Sequence, residues 1–575
     1  MAEKLTLTHE RVDDIPLLIG LAQRLRLPET LDRHLGNHGH HQGLSNGRLA
    51  TVWLAYILSE GDHRKASVQD WADRHQQTLE RLLGQPIRRG VEFNDDRLGI
   101  VLQRLSQTAA WNAVEADLWQ STVAVYEIVL VGVRLDSTTT YGYHTPTEDG
   151  VMHYGHSKDH RPDLPQVKLM AAAAEPSGHW LACDVHTGQA ADDPLYRPLV
   201  ARVRQMVGRS GLLYVGDSKM AALATRADLV AHGDYYLMPL PLTSETGEQL
   251  EAWIGAVVDG AQPADLIWDD GRLLGGGYEC ARSLRAELSG QPVAWVERVQ
   301  VVRSQALAAH QANQLAQRLA KAETAVRALT PARGRGKRQY RDEAALRAAV
   351  AQVLERYDVT GVLRVSWQRE EHTITRDVGR GRGSPHRPTQ TEVDVRYVIT
   401  RVDHDEAAIE QQRHRLGWRV QVTHVPREQM SLAQAVVHYR GGWCLERDFH
   451  LVKDRPLGIS PLYVRRDDQI IGLTRLLTLA LRLLTLIETQ VRHGLARAGA
   501  PLAGLYEGQP RRTTERPTGV RLLKAVARAE ITLTRIQMGT RQLWHITPLP
   551  HVLAQALKYL GLSPSLYKRL AENSS

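Results

Sequence analysis

The chain has 575 residues, which is enough for several hydrophobic cores and predicts about two to four domains. Its formal net charge is +8 and its pI is near 9.3, with most of the positive charge carried by arginine, which matches phosphate bidentately and makes a nucleic-acid partner plausible. The cysteines, Cys183, Cys280 and Cys444, are odd in number and far apart, which excludes a disulfide framework and a paired-cysteine metal site and favours a reducing cytoplasm.

The sequence gives no reason to expect a membrane segment. The amino terminus MAEKLTLTHERVDD lacks the apolar stretch of a signal peptide. The most apolar segment, IIGLTRLLTLALRLLTLIE, is interrupted by Arg475 and Arg482. We therefore expect this helix to pack inside the protein and not in lipid.

Residues 1–125 are predicted to form a helical N-terminal domain. Apolar residues recur there at three- and four-residue spacing, and Pro28 is well placed to begin a helix. The loop with His38, His40 and His41 has no cysteine or acid at ligand spacing, so a solvated loop is favoured over a zinc site. No specific helix-turn-helix signal is present.

Residues 126–240 change to short apolar runs that predict a mixed α/β sheet. The run EIVLVGVRLDSTT is typical of a strand buried on both faces and ends at Asp136. Two further strands, a helix, the strand of LLYVGDSKM and another helix follow, with Asp217 at the end of that strand. Asp192 and Asp193 are interpreted as opening the first of these helices, where negative charge complements the helix dipole.

The rest of the chain divides into three further regions. Residues 241–392 contain a predicted helical hairpin with the basic tip PARGRGKRQYR and a loose, exposed loop RDVGRGRGSPHRPTQ. In residues 393–495 strands resume and a long helical pattern follows, and residues 496–575 are predicted to be helical.

Three side chains recur at seven-residue intervals within the segment SLAQAVVHYRGGWCLERDFHLVK. They are Tyr439, Glu446 and Lys453. A seven-residue step returns to within roughly 20° of the same direction on a helix, so the three would share one stripe. Gly441 and Gly442 weaken such a helix by up to roughly 1 kcal/mol each, so packing must compensate or the helix bends there.

Asp136, Asp217 and Glu446 are candidate metal ligands. Carboxylates at strand ends can converge with one from a packed helix to bind two divalent ions about 3.5–4 Å apart, and hard oxygen ligands favour Mg²⁺ or Mn²⁺. This chemistry suits phosphodiester hydrolysis and strand transfer. The alternatives are ordinary: each aspartate could be a helix cap or a turn former, and Glu446 a solvated surface charge.

The motifs together resemble a known family. RLDSTTTYGY, GHSKDHRPDLPQVKL, YVGDSKM and YRGGWCLERDFHLVK occur in the order found in DDE transposases of bacterial insertion sequences. The last motif is similar to the Y-(2)-R-(3)-E-(6)-K signature of the insertion-sequence-four-like group. The resemblance implies an α/β fold: an RNase H-like mixed-sheet catalytic core (126–240 and 393–495), interrupted by an insertion domain (241–392) and preceded by the helical N-terminal domain, which would bind DNA ends.

The resemblance also implies the activity and its residues. Asp136, Asp217 and Glu446 would be the catalytic and metal-binding carboxylates, with two Mg²⁺ or Mn²⁺ ions per site. The enzyme would bind double-stranded DNA at the terminal inverted repeats, cut it and join it to target DNA as a homodimer on paired ends in the bacterial cytoplasm, associated with the nucleoid. Sequence and resemblance together select these candidate DNA contacts: Tyr439, Arg440, Trp443, Lys453, Lys158, Arg161, Arg333, Arg335, Lys337 and Arg338.

One position departs from the signature, since Gly442 stands where the family has arginine. Arg440 either supplies the cation from a neighbouring face or the contact is absent. The departure leaves two alternatives open: an inactive or domesticated sequence-specific DNA-binding protein, and an RNase H-like metal-dependent nuclease without strand transfer.

Overall fold

The computed structural model describes residues 5–37, 42–241, 243–378 and 388–572, and within them the protein is a mixed α/β structure. The loop with His38, His40 and His41 and the basic segment with Arg380, Arg382 and Arg387 lie outside the described residues.

The N-terminal region is helical, as its apolar spacing predicts. Ser45 and Asn94 begin two of its helices by accepting the backbone N–H groups of Arg48 and Arg97. A short strand that the sequence did not indicate precedes the helices. The elements are β1 (Leu5–Arg11), α1 (Ile15–Arg24), α2 (Leu27–Leu35), α3 (Asn46–Glu60), α4 (Val68–Arg74), α5 (Gln76–Leu83), α6 (Asp95–Leu105) and α7 (Thr108–Tyr126).

The predicted order of strands and helices after α7 is confirmed. β2 pairs antiparallel with β3 and β3 with β4, whereas β2 with β5 and β5 with β6 are parallel, so these strands lie in the order β4-β3-β2-β5-β6. β2 is central and its apolar residues are buried, as expected for a strand covered on both faces. The elements are β2 (Gly132–Tyr141), β3 (Gln166–Glu175), β4 (Trp180–Thr187), α8 (Tyr196–Val207), β5 (Leu213–Val215), α9 (Leu223–Ala231) and β6 (Tyr235–Pro239).

The predicted helical hairpin of the middle region is also present, as α11 and α12. Leu315, Leu319, Ala322 and Val326 form the buried face of α11. The strands of this region are much longer than the sequence indicated. The elements are α10 (Ser244–Val258), β7 (Asp265–Asp269), β8 (Arg272–Leu288), β9 (Gln291–Ser304), α11 (Gln305–Ala328), α12 (Glu343–Arg356), β10 (Leu363–Asp377), β11 (Thr389–His404), α13 (Glu406–Arg415) and β12 (Trp418–Thr423).

The last part of the chain is not purely helical, which corrects the expectation for residues 496–575. The segment TLTRIQMGTRQLWHI alternates β-branched and apolar residues with polar ones and forms a hairpin that turns at Gly539, and its first strand pairs with β1. The elements are α14 (Leu432–Arg440), α15 (Trp443–Lys453), α16 (Asp467–Ala498), β13 (Leu502–Ala503), β14 (Thr513–Thr514), α17 (Gly519–Ala527), β15 (Thr532–Met538), β16 (Arg541–Ile546), α18 (His551–Tyr559) and α19 (Ser565–Lys568).

The chain forms two compact units. Unit 1 comprises Met1–Met238, Ser283–Trp295 and His438–Ser575, and its core joins the N-terminal helices, the strands β3 and β4 and the helices α15 and α16. Unit 2 comprises Pro239–Arg282 and Val296–Val437, and contains the α11–α12 hairpin and the long β10–β11 hairpin. Both aspartates and Glu446 belong to unit 1.

Helix α16 is the one described helix that is long and apolar enough to span a membrane, by length and composition alone. Inside the protein, 94% of its most apolar window is buried. The two arginines of its apolar stretch have polar partners there: Arg475 donates to the carbonyl of Leu105 at 2.8 Å, and Arg482 forms a buried ion pair with Glu115. Both guanidinium groups lie 5.5 Å from the ring centre of Trp111.

Candidate active site

The structure brings the two predicted aspartates together, but it corrects the expectation that Asp136 ends its strand: β2 continues through the polar residues after Asp136 to Tyr141, so Asp136 lies in mid-strand, whereas Asp217 follows the end of β5. The parallel pairing of β2 and β5 sets Gly132 opposite Leu213 and Arg134 opposite Val215. The same offset, continued beyond the end of β5, places Asp136 level with Asp217. Burial raises the pKa of Asp136, and the charge of Asp217 raises it further. The sheet therefore holds two carboxylates close enough to repel each other.

Asp136 is paired with the side chain of Lys158. The Lys158 ammonium lies 3.5 Å from Oδ1 of Asp136 and donates to the carbonyl and the hydroxyl of Ser137, each at 2.7 Å. The backbone N–H of Lys158 donates to the Thr139 hydroxyl at 3.0 Å, which ties the lysine's loop to β2. Without DNA or metal, Lys158 is thus paired with a carboxylate, and the side chains of Lys158 and Asp136 are 29% and 31% exposed.

Asp217 is fixed by a tyrosine and by its own turn. The hydroxyl of Tyr196, at the start of α8, donates to Oδ1 of Asp217 at 2.7 Å, and the backbone N–H of Lys219 donates to the same oxygen at 2.9 Å. Burial raises the pKa of Tyr196, and the neighbouring Asp217 adds to the shift, so the hydroxyl remains a donor. The position of Asp217 is set before any ligand arrives.

Sequence reasoning missed a third aspartate in this cluster. Asp192 does precede α8, as predicted, but it also forms a buried ion pair with Lys168 of β3 and lies 4.0 Å from the Lys158 ammonium. Burial raises the pKa of Asp192, but Lys168 outweighs this effect and the net pKa is lowered. The available signal was Lys168 itself, a cation within the apolar strand QVKLMAAAAE.

The helix that carries Glu446 is separate from the one that carries Tyr439, which corrects the expectation of one stripe along one helix. α14 ends at Arg440 and α15 begins at Trp443, with the glycine pair between them. The two glycines have no side chains to pack and end the first helix. Glu446 and Lys453 remain seven residues apart on α15 and still share a face.

Lys453 shows which way this face of α15 points. Its ammonium forms an ion pair of 2.5 Å with Asp159, whose other oxygen accepts from the hydroxyl of Thr139 on β2 at 3.5 Å. α15 also packs against β2. The face shared by Lys453 and Glu446 is therefore turned toward the strand that carries Asp136.

Glu446 itself is exposed, and it does not join the aspartates in a ready-made metal site. Within the described ranges, no three His, Cys, Asp or Glu side chains are grouped closely enough to hold a metal ion. The donor chemistry nevertheless fits a divalent cation: Asp136 and Asp217 are hard oxygen donors on adjacent strands, and their mutual repulsion is the condition that a bound cation relieves.

The remaining candidates in unit 1 have varied surroundings. Trp443 is 55% exposed, with the Arg447 guanidinium 5.6 Å from its ring centre, and Arg440 is exposed. Tyr439 is half-buried. Arg161 pairs with Asp163 at 2.7 Å and lies over the ring of Tyr141.

The basic candidates of unit 2 lie on the link between α11 and α12. Arg333 forms an ion pair with Asp394 of β11, and Arg338 lies 4.7 Å from the ring centre of Tyr340. Arg335 and Lys337 are exposed.

Comparison with known proteins identifies the family. The model of the family described as "Transposase DDE domain" matches residues 130–483, which is more than half of the chain and runs from the approach to β2 into α16. The chain therefore belongs to the transposase DDE domain family.

The other comparisons add little. A cryo-EM structure of a piggyBac transposase synaptic complex with hairpin DNA has a TM-score of 0.36 and 7% sequence identity, covering 97% of this chain and 86% of that chain. A likeness at this level carries no argument about the fold. Among curated proteins, none matches the chain significantly.

Proposed function

We propose that this protein is the DDE transposase of a bacterial insertion sequence, of the group with the Y-R-E-K signature. It would bind the terminal inverted repeats of its element, cut the DNA and join the ends to target DNA. The observation that carries the proposal is the pair Asp136, on β2, and Asp217, two residues after the parallel neighbouring strand β5, within the region that matches the family. The strand order, with antiparallel β2–β4 followed by parallel β5 and β6, supports an RNase H-like core.

Asp136 and Asp217 are the residues that would hold Mg²⁺ or Mn²⁺, with two ions per site. When bound, the metal supplies activation of water or of a 3′ hydroxyl and stabilises the leaving oxygen. The protein's own groups do the rest: Tyr196 and the turn N–H fix Asp217, and Lys158 balances the charge of Asp136 until metal and DNA arrive.

Glu446 is proposed as the third carboxylate. Two facts support it: Glu446 shares the face of α15 on which Lys453 reaches Asp159, and α15 packs against the strand of Asp136. Its exposure suits a ligand that completes the site when DNA and metal are bound. The family's use of an acid at this point of the signature supports the same assignment.

The proposed DNA contacts are basic and aromatic side chains. Exposed Arg440 and Trp443 would meet the strand near the cut, with phosphate contacts and base stacking respectively. Because two transposon ends must be brought together, the working form would be a homodimer on paired DNA ends. The other proposed contacts are Tyr439, Lys453, Lys158, Arg161, Arg333, Arg335, Lys337 and Arg338.

The test is cleavage of a DNA fragment that carries the element's end, in Mg²⁺ or Mn²⁺. Glu446→Gln should abolish cleavage and leave end binding intact, because the change removes a charge without changing shape. Asp454→Asn, at an exposed carboxylate just after the same helix, is the matched control and should cleave normally. Cleavage retained by Glu446→Gln would remove Glu446 from the site.

Two alternatives have distinct outcomes. A nuclease without strand transfer would cut, but would give no joined product from pre-cut ends and a target plasmid. An inactive or domesticated protein, the alternative that Gly442 favours, would bind the ends specifically and cut in neither metal.

A further inference from the structure

We infer that Arg134 is a positioning residue that fixes the start of the Glu446 helix, and that it occupies the space which a side chain at position 442 would need. The functional consequence of this inference rests on the proposed function, because it concerns the placement of Glu446. The contacts that Arg134 makes within the protein do not depend on that function.

Arg134 joins the strand of Asp136 to the end of α14. It lies on β2 two residues before Asp136, so both side chains leave the same face of the sheet. Its guanidinium donates to the carbonyl of His438 at 2.9 Å and to that of Tyr439 at 3.3 Å. The last carbonyls of a helix lack partners within the helix, and a cation there also complements the helix dipole.

A carboxylate locks this arginine in place. Glu175, at the end of β3, accepts from Nε of Arg134 at 2.5 Å, and its other oxygen lies 2.6 Å from Nε2 of His438. Burial acts to raise the pKa of Glu175, but His438 and Arg134 outweigh it and the net pKa is lowered, so the carboxylate is charged at neutral pH. Arg134, Glu175 and His438 form a closed cluster, which we call the junction cluster.

A side chain at position 442 would force the Arg134 guanidinium to shift from the place that it occupies. A β-carbon built on Gly442 would lie 3.1 Å from Nη1 of Arg134, which is tighter than ordinary packing. A longer side chain would displace the guanidinium from the two carbonyls. Arginine at 134 and glycine at 442 are therefore matched, and the departure from the family signature has a structural partner on β2.

The junction cluster sets the position of Glu446 along the direction of β2. From Arg134, β2 advances about 6.6 Å to Asp136, and from Gly442 a helix advances about 6 Å to Glu446. Farther along α15, Lys453 reaches Asp159, which is bonded to Thr139 farther along β2. Strand and helix thus run in the same direction, and a fixed starting point brings Glu446 level with Asp136.

A double-mutant cycle on the full-length protein tests this inference. Arg134→Lys retains the charge but loses the fork, so cleavage of DNA already bound should slow at least about tenfold, while end-binding affinity and unfolding temperature stay near those of the wild type. Gly442→Arg alone should also slow cleavage, because it displaces Arg134. Combined with Arg134→Ala, Gly442→Arg should be faster than Arg134→Ala alone, since its guanidinium can enter the vacated space.

Hydrogen exchange of the amides of 441–446 gives a readout independent of activity. Arg134→Lys should accelerate it locally, without a change in the exchange of β2. Wild-type cleavage rates and exchange in Arg134→Lys, or a faster enzyme from Gly442→Arg alone, would overturn the inference. If the wild-type protein does not cleave in either metal, the proposed function fails, and the exchange measurement still decides the role of Arg134.

Discussion

The two halves of the candidate site are held in different ways. The sheet half consists of Asp136 on β2 and Asp217 just after the neighbouring strand β5, with Lys158 beside the first and Tyr196 bonded to the second. The helix half, Glu446 and Lys453, lies on a helix that begins at a glycine pair, and Glu446 is exposed. The carboxylates of the sheet half are themselves bonded to neighbouring side chains, whereas Glu446 is placed by its helix, which is held by its buried face and by contacts near its two ends, Arg134 at the start and Asp159 at the finish.

The largest effect is expected from substitutions of the aspartates in the sheet half. Asp136→Asn or Asp217→Asn should each lower cleavage by at least about 10³-fold, since a metal ligand contributes several kcal/mol to the transition state. The Asp136→Asn variant should unfold at an unchanged or higher temperature, because it removes a buried charge, whose burial is the main cause of the raised pKa of Asp136, and also relieves the repulsion from Asp217. Single-turnover cleavage and thermal unfolding are the measurements. Asp149→Asn, at an exposed carboxylate in the loop after β2, is the control.

The helix half should be more tolerant. Lys453→Gln should slow cleavage about tenfold, the equivalent of one charge-assisted hydrogen bond of about 1.5 kcal/mol. Asp159→Asn separates two roles of the lysine. If Lys453 serves DNA, freeing it from Asp159 keeps or raises end affinity, whereas a purely structural ion pair would make both variants equally poor. Binding and cleavage are measured on the same end fragment.

A smaller effect is expected from changing Lys158, the lysine beside Asp136. Lys158→Gln should tighten Mn²⁺ binding, measured by calorimetry without DNA, by up to about fivefold, because a partly exposed ion pair contributes up to about 1 kcal/mol. The metal-free variant should also unfold at a slightly lower temperature. Weaker Mn²⁺ binding would show that the lysine helps to hold the site open for metal instead of competing with it.

The smallest effect is expected from substitutions outside both halves of the site. Arg335→Ala and Lys337→Ala change exposed side chains of unit 2 and should weaken DNA binding only a few-fold, each lowering the salt slope of binding by about one. Cleavage of bound DNA should not change. Arg333→Ala is the comparison, because Arg333 is already paired with Asp394; an equal loss of slope would mean that DNA competes for it.

The sequence predicted the sheet half better than the helix half, and the reason is physical. A buried strand is visible as an apolar run, so the first acidic residue after the run, such as Asp136 or Asp217, stands out, although β2 itself continues past Asp136 to Tyr141. Asp192 did not, because its second role depends on Lys168, which lies on β3, far from the helix start that Asp192 precedes in the sequence. A cluster formed between strands has no periodicity in either one.

Whether α14 and α15 form one helix or two depends on the free-energy cost of the glycines against the gain from packing, and the sequence alone does not decide it. Two glycines cost a helix up to roughly 2 kcal/mol in total, an amount that packing can overcome. Here a guanidinium from β2 fills the space beside Gly442, so the tertiary contact favours the break. Likewise β1 was missed, because the strand that it pairs with lies more than 500 residues away, at Thr532–Met538.

The burial of α16 has a consequence for how the protein is made. Its length and apolarity are those of a segment that cellular machinery could direct into a membrane. Helices α3 and α6, which pack against it, and Trp111 and Glu115, which contact Arg475 and Arg482, are encoded earlier in the chain, whereas α17 and α18, which also pack against it, are encoded later. A ribosome therefore makes most of the covering surface, but not all of it, before α16 emerges.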